Sequence, residues 1–216
     1  MRHVLALALC AALAAPSMAD LITTQHFNTF AEVQAYLLGG LEFVARGDTE
    51  LLRLTRANPP GVTQLPFTLW NDGIAHGFKV VYNAGGIAGL SIDDLYTIQT
   101  PVTIDPATNG LLVTACADGT GRSVVVSNLK ITLPGFLMYN VGDLASAPET
   151  DYMLIGTDLP LAGGFILSGT VTFNWEGSIP PAPEQWFEVA PVVVPEPAMC
   201  TLACAAGLWL LRRPRR

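Results

Sequence analysis

The chain reads as an all-β protein, an antiparallel sandwich or jelly roll with one short N-terminal helix. Three observations predict this. Apolar residues alternate with polar ones at period two in run after run. Clusters of Gly, Pro, Asn and Asp separate those runs at short intervals. Only one stretch carries helix signals within the 216 residues, apart from the two apolar ends.

That stretch is Thr29-Phe30-Ala31-Glu32, which fits a capping box, threonine as N-cap and glutamate three residues on. Phe30, Val33 and Leu37 share one face and Gly39-Gly40 stops the segment, so a helix is expected over Phe30 to Leu38. Beyond Gly40, Leu41, Phe43 and Ala45 alternate with Glu42, Val44 and Arg46. Arg46-Gly47-Asp48 turns the chain, its glycine and aspartate being ordinary turn residues. Leu52 and Leu54 alternate next, then Phe78, Val80 and Tyr82, then Leu129, Ile131 and Leu133, then Val171, Phe173 and Trp175. Turn clusters lie between them, among them Asn58 to Gly61, Asn71 to Gly73, Asn83 to Gly86 and Ala162 to Gly164. Prolines then crowd the chain after Ile179. A stiff, extended spacer is expected over 179–194, with Trp186-Phe187-Glu188-Val189 open to being a last strand. The sandwich domain is thus expected over 20–178.

The ends differ from the middle. Met1-Arg2-His3 is positive, Val4 to Ala15 is apolar, and Ser17 and Ala19 are small. This is the pattern of a secretory signal peptide over 1–19, cut between Ala19 and Asp20 by signal peptidase. At the other end stand Pro195-Glu196-Pro197, an uncharged run from Ala198 to Leu211, and Arg212, Arg213, Arg215 and Arg216. A 14-residue helix reaches roughly 21 Å, against a bilayer core of about 30 Å. The segment is short for a permanent anchor, and its arginines would stay on the cytoplasmic side.

Pro-Glu-Pro, a short apolar helix and a terminal arginine cluster, in that order over 195–216, resemble the PEP-CTERM sorting signal of Gram-negative bacteria. The resemblance implies that Pro195, Glu196 and Pro197 are recognised and processed by exosortase, a membrane-embedded cysteine transpeptidase. The arginine cluster would hold the segment in the membrane until then. It implies export across the inner membrane, a transient anchor there, then release to the cell surface or extracellular matrix in association with exopolysaccharide and biofilm. The alternative is a plain tail anchor. Physically, two prolines keep the backbone extended and unpaired, which a peptide-cleaving site can grip. The run Leu167 to Gly177 also resembles the closing strand of sandwich domains in many proteins with this tail.

Charge and cysteines bound the rest. Residues 20–194 hold 6 basic side chains against 17 acidic ones, a net charge of −11. Such a surface repels nucleic acid and anionic lipid, so no nucleic-acid partner is expected, and membrane contact only through the C-terminal segment. Cys116 is the one cysteine between the two ends, so no internal disulfide is expected, and its apolar run marks it as a buried strand residue.

No catalytic constellation stands out, and the expected protein is not an enzyme. Gly89-Leu90-Ser91-Ile92-Asp93 misses the nucleophile-elbow pattern, and His26 and His76 are the only histidines past the signal segment. His76, in a glycine-flanked turn, reads as solvated. Asp105 to Gly110 and Asp118 to Gly121 are oxygen-rich but lack calcium-loop spacing, so Asx turns are expected, with no metal and no cofactor. Seventeen acids offer many carboxylate pairs but single none out. Of the exposed-aromatic candidates, Trp175 falls in line with core residues, while Trp70 and Trp186 are the candidate glycan contacts. Three readings follow in order. The first is a non-enzymatic exported surface or matrix protein, the second a carbohydrate-binding sandwich module, and the third a glycan-active enzyme.

Overall fold

A computed structural model describes residues 22–36, 40–47, 51–57, 59–66, 70–135, 137–146, 149–177 and 185–194. The expected signal peptide, the apolar segment 198–211 and the arginine cluster lie outside them. Among the described residues no helix is long and apolar enough to cross a membrane.

In chain order, β1 (Ile22–Phe27) leads to α1 (Phe30–Val33) and a 3-10 turn (Gln34–Tyr36). β2 (Leu41–Arg46), β3 (Leu51–Ala57) and β4 (Pro60–Pro66) form a meander, as do β5 (Ala75–Asn83), β6 (Ile87–Ile92) and β7 (Tyr96–Pro101). Then come β8 (Gly110–Ala117), β9 (Ser123–Leu133), β10 (Leu137–Ser146), β11 (Thr150–Thr157), β12 (Gly164–Asn174) and β13 (Gln185–Val192). The strands make two antiparallel sheets. One has the order β1-β11-β8-β13-β2-β3-β4, the other β10-β9-β12-β5-β6-β7. The inward faces meet in one apolar core, so the all-β sandwich expected from the alternating runs is the observed architecture.

The alternating runs land as expected. Leu41, Phe43 and Ala45 of β2, Leu52 and Leu54 of β3, and Leu129, Ile131 and Leu133 of β9 all face the core. So do Phe78, Val80 and Tyr82 of β5, with Val171, Phe173 and the adjoining Trp175. Gly47 has a reason beyond its turn. A Cβ there would stand 2.7 Å from the Phe173 ring, so only glycine lets the core close over this corner.

Two expectations are corrected. The helix is one α turn followed by a 3-10 turn, not a continuous helix to Leu38, whose last residues lie outside the described set. Phe30 is exposed, and only Val33 of the segment is fully buried. A single turn cannot sustain itself, so its geometry follows what it packs on. Val33 and Tyr36 pack beside Phe27, Leu112, Tyr152, Leu154 and Val192 on the outside of the larger sheet. The capping residues are as read. The Glu32 carboxylate accepts both the Thr29 hydroxyl (2.7 Å) and the Thr29 N–H (3.1 Å). The hydroxyl bond is the main reason its pKa lies below the usual value.

The second correction concerns the spacer. Residues 185–192 are not a stalk but a strand near the centre of the seven-stranded sheet, between β8 and β2. The alternation Trp186-Phe187-Glu188-Val189 prevails over the surrounding prolines, because Phe187 and Val189 fill the core with no exposure at all. Pro191 is tolerated because pairing with β2 ends at Val189, so beyond that point one edge of β13 has no ladder to supply. The sandwich therefore extends past 178 to Val194.

Candidate functional site

Of the residues singled out from the sequence, Ala19, Asp20, Pro195, Glu196, Pro197, Arg212, Arg213, Arg215 and Arg216 lie outside the described residues. Trp70 is a correction. It is 4% exposed and cannot offer a stacking face to a glycan. Its ring meets Phe173 at 4.6 Å and His76 edge-on at 5.1 Å, closing one end of the core. Trp186 sits on the outer face of β13 and is only partly buried, so it remains available at the surface.

Trp186 belongs to a polar group on the outer face of the larger sheet. Side chains two apart on a strand share a face, so Trp186 and Glu188 both point outward while Phe187 and Val189 point in. Register builds the group. Glu188 lies opposite Thr114 of β8 and Val44 of β2, and Val44 lies opposite Arg53 of β3. Trp186 lies opposite Cys116 and Arg46. Tyr152 completes the row beside Thr114. Five strands, β11, β8, β13, β2 and β3, thus gather the group, with both arginines on the β2–β3 side of Glu188.

The electrostatics are unusual for a surface. Burial pushes the Glu188 carboxyl up to about 7, and the nearby Glu42 adds to the rise, while Arg53 and Arg46 oppose it. Burial is also the main reason that the Tyr152 hydroxyl is held above its ordinary value, with Cys116 and Glu188 adding to the effect. The Nε atoms of Arg46 and Arg53 are buried without a hydrogen-bond partner. Cys116, buried as expected from its apolar run, accepts a hydrogen bond from the Thr150 hydroxyl at 3.0 Å.

A carboxyl near neutrality beside a second carboxylate is the electronic half of an acid–base pair. Two clefts among the described residues lie elsewhere, and neither is lined by Glu188 or Glu42. The larger cleft, about 510 Å³, opens at one end of the sandwich around Leu41, Ile104, Thr108 and Pro191. The smaller, about 250 Å³, lies on the outer face of the other sheet. The Trp186–Glu188 group sets an indole ring beside charged hydrogen-bonding groups on the outer face of the sheet.

His76 is corrected as well. It is in β5, buried, with its Nδ1 at 2.7 Å from the Asp93 carboxylate, not solvated in a turn. The other Asp93 oxygen accepts the Gly77 N–H at 2.8 Å. Asp93 and Asp94 both hold positive φ in the turn after β6, which aims Asp93 back at β5. The pair staples a hairpin, and its seventeen-residue separation hid it from the sequence. Asp105 makes the expected Asx turn, its carboxylate accepting the Ala107 N–H. Among the described residues no three metal-ligating side chains gather.

The last described residue carries its own fastening. The Asn109 side chain accepts the Val194 N–H at 2.6 Å and donates to the Val194 carbonyl at 2.9 Å. Gly110 makes room for the Val194 side chain, since a Cβ there would stand 2.5 Å from Val194 Cγ2. Asn109→Ala removes both bonds and is expected to cost about 1–2 kcal/mol in urea unfolding. Limited proteolysis followed by mass mapping should show earlier cutting near Val194. An unchanged cleavage pattern would mean that the bond pair does not hold this end. In comparison with other proteins, no family model matches the chain and no curated protein matches it.

Proposed function

We propose that this protein is a non-enzymatic β-sandwich exported from a Gram-negative cell and sorted to the surface or extracellular matrix through its tail. Pro195, Glu196 and Pro197 are the processed segment in this reading, with exosortase as the processing partner and exopolysaccharide the expected surrounding. The observation that carries the reading is the tail itself, in order and spacing, behind a signal-peptide pattern. The end of the fold supports it. The sandwich's last pairing is Val192 with Gly110, and its last fastening is Val194, one residue before Pro195. A cut at 195–197 would leave every described strand in place.

The positions of the two ends also fit. Gly110 begins β8, opposite both the end of β11 and the end of β13, and β1 begins opposite the end of β11. The chain therefore enters and leaves at the same end of one sheet, three strand spacings apart, or about 14 Å. A domain tethered through both ends during export can fold with the rest of its surface facing away from the membrane.

The deciding experiment is the intact mass of the protein from its native host, with the C-terminal peptide mapped. A mature chain ending near 195–197 is the expected result. A mature pool still carrying Arg216 would make the tail a plain anchor and overturn the sorting reading.

A second reading, a carbohydrate-binding module, is favoured by Trp186 on the outer face beside Glu188, Arg46 and Arg53. Retention on a polysaccharide panel, lost in Trp186→Ala, is its expected signature. The glycan-active enzyme reading would require turnover of a glycan by the purified protein, and its residues would be Glu188 and Glu42.

A further inference from the structure

The smaller cleft lies on the opposite sheet from Trp186, and it combines features that no fold requirement explains. Its floor is Gly89, on the outward side of β6. Gly89 pairs with Val81 of β5 and Gln99 of β7, so a residue without a side chain sits between two neighbours that have them. Its φ is not in the left-handed region, and a Cβ there would meet Gln99 Cγ at 3.3 Å, the Ile98 carbonyl at 3.4 Å and Gln99 Nε2 at 3.9 Å, so the Gln99 side chain would have to give by a few tenths of an ångström. No backbone conformation demands a glycine at this position, and what it supplies is the hollow.

The rim is polar and its charges are matched. Lys79 donates to Asp94 at 2.8 Å across the cleft mouth, and both side chains are substantially exposed, at 42% and 77%. Ser91 lies opposite both Lys79 and Thr97. The wall between is aliphatic, Val81 and Ile87. A volume of about 250 Å³ corresponds to about eight waters.

We propose that this hollow binds one pyranose unit of a neutral glycan. A pyranose has the same division of surface, a C–H face and a ring of hydroxyls at its edge. The C–H face would lie on Val81, Ile87 and the bare backbone of Gly89. An exposed ion pair offers hydroxyls both an acceptor, Asp94, and a donor, Lys79, already held in position. A charged sugar fits less well, because the two rim charges cancel. An apolar ligand would strand the ion pair and the amide of Gln99. The site stands whether or not residues 195–216 are a sorting signal.

The test is 1H–15N shift mapping on the full chain in mild detergent. The probes are cellotetraose, maltotetraose, mannotetraose and laminaritetraose, each titrated separately. We expect one or more of them to move the amides of Gly89, Ser91 and Thr97, with a dissociation constant on the order of 1 mM. Gly89→Val fills the hollow with a residue that strands favour, and should weaken binding by about tenfold or more while leaving the core amides unmoved. Lys79→Met with Asp94→Asn leaves the hollow open, and should weaken binding through the rim alone. The proposal fails if no probe shifts these amides, or if the shifts persist in Gly89→Val. Concentration-dependent shifts of the same amides without any probe would assign the hollow to a second copy of the chain, and would overturn it too.

Discussion

Removing residues 185–216 is expected to abolish cooperative folding, whereas removing 195–216 is expected to leave it intact. The difference is β13. It pairs with β8 over eight residues and with β2 over four, between them closing the middle of the seven-stranded sheet. Phe187, Val189 and Val192 on it have no exposure. Losing one buried phenylalanine alone typically costs about 3–5 kcal/mol. Two further buried valines add about 1.5–3 kcal/mol each, against a whole-domain stability of about 5–15 kcal/mol. The deletion also exposes the facing edges of β8 and β2 in mid-sheet, which invites pairing between molecules. Circular dichroism through a thermal ramp separates the outcomes. A sharp transition in the 185–216 deletion would show that the sandwich stands without its last strand, and that a spacer after 178 was the better description.

The same strand shows why part of this fold was legible and part was not. Alternation is a signal only where one face is buried and the other wet. β2, β3, β5, β9 and β12 meet that condition closely enough to be read. β8 does not. All eight of its residues are buried, because Leu112 is covered outside by Phe27, Val33 and Tyr36 while Leu111 and Val113 fill the core. Its run therefore marks a buried strand without saying which face is which. β13 alternates for only four residues, and Pro191 with the prolines on either side of the strand imitates a linker. The site residues were harder still. Trp70 and Trp186 are indistinguishable by type; Trp70, between β4 and β5, turns into the core, while the alternation of β13 leaves Trp186 on the outer face. Glu188 owes its raised carboxyl first to burial, with Glu42 adding to the rise and Arg53 and Arg46 opposing it from β2 and β3, and nothing near position 188 names them.

That character has a measurable consequence. Burial pushes the Glu188 carboxyl up to about 7 in the folded protein, against an ordinary value of 4.5. Below pH 4.5 both folded and unfolded chains hold the proton, and the group favours neither. As pH rises from 4.5 to about 7 the unfolded chain releases the proton while the folded one keeps it, so stability is lost across that window. Above about pH 7 the folded chain carries the charge and the loss is complete, on the order of 1–3 kcal/mol after allowing for partial exposure. Glu188→Gln keeps the shape and removes the titration. The variant is expected to be more stable than the parent at pH 8 by that amount, with the gap closing as pH falls to 4.5. Glu42→Gln removes the neighbouring charge that adds to the rise, so it should move the parent's window to lower pH without abolishing it. Urea unfolding at a series of pH values gives both curves. A constant difference between parent and Glu188→Gln from pH 4.5 to 8 would mean that the carboxyl is hydrated in the folded state. The acid beside the two arginines would then be ordinary surface.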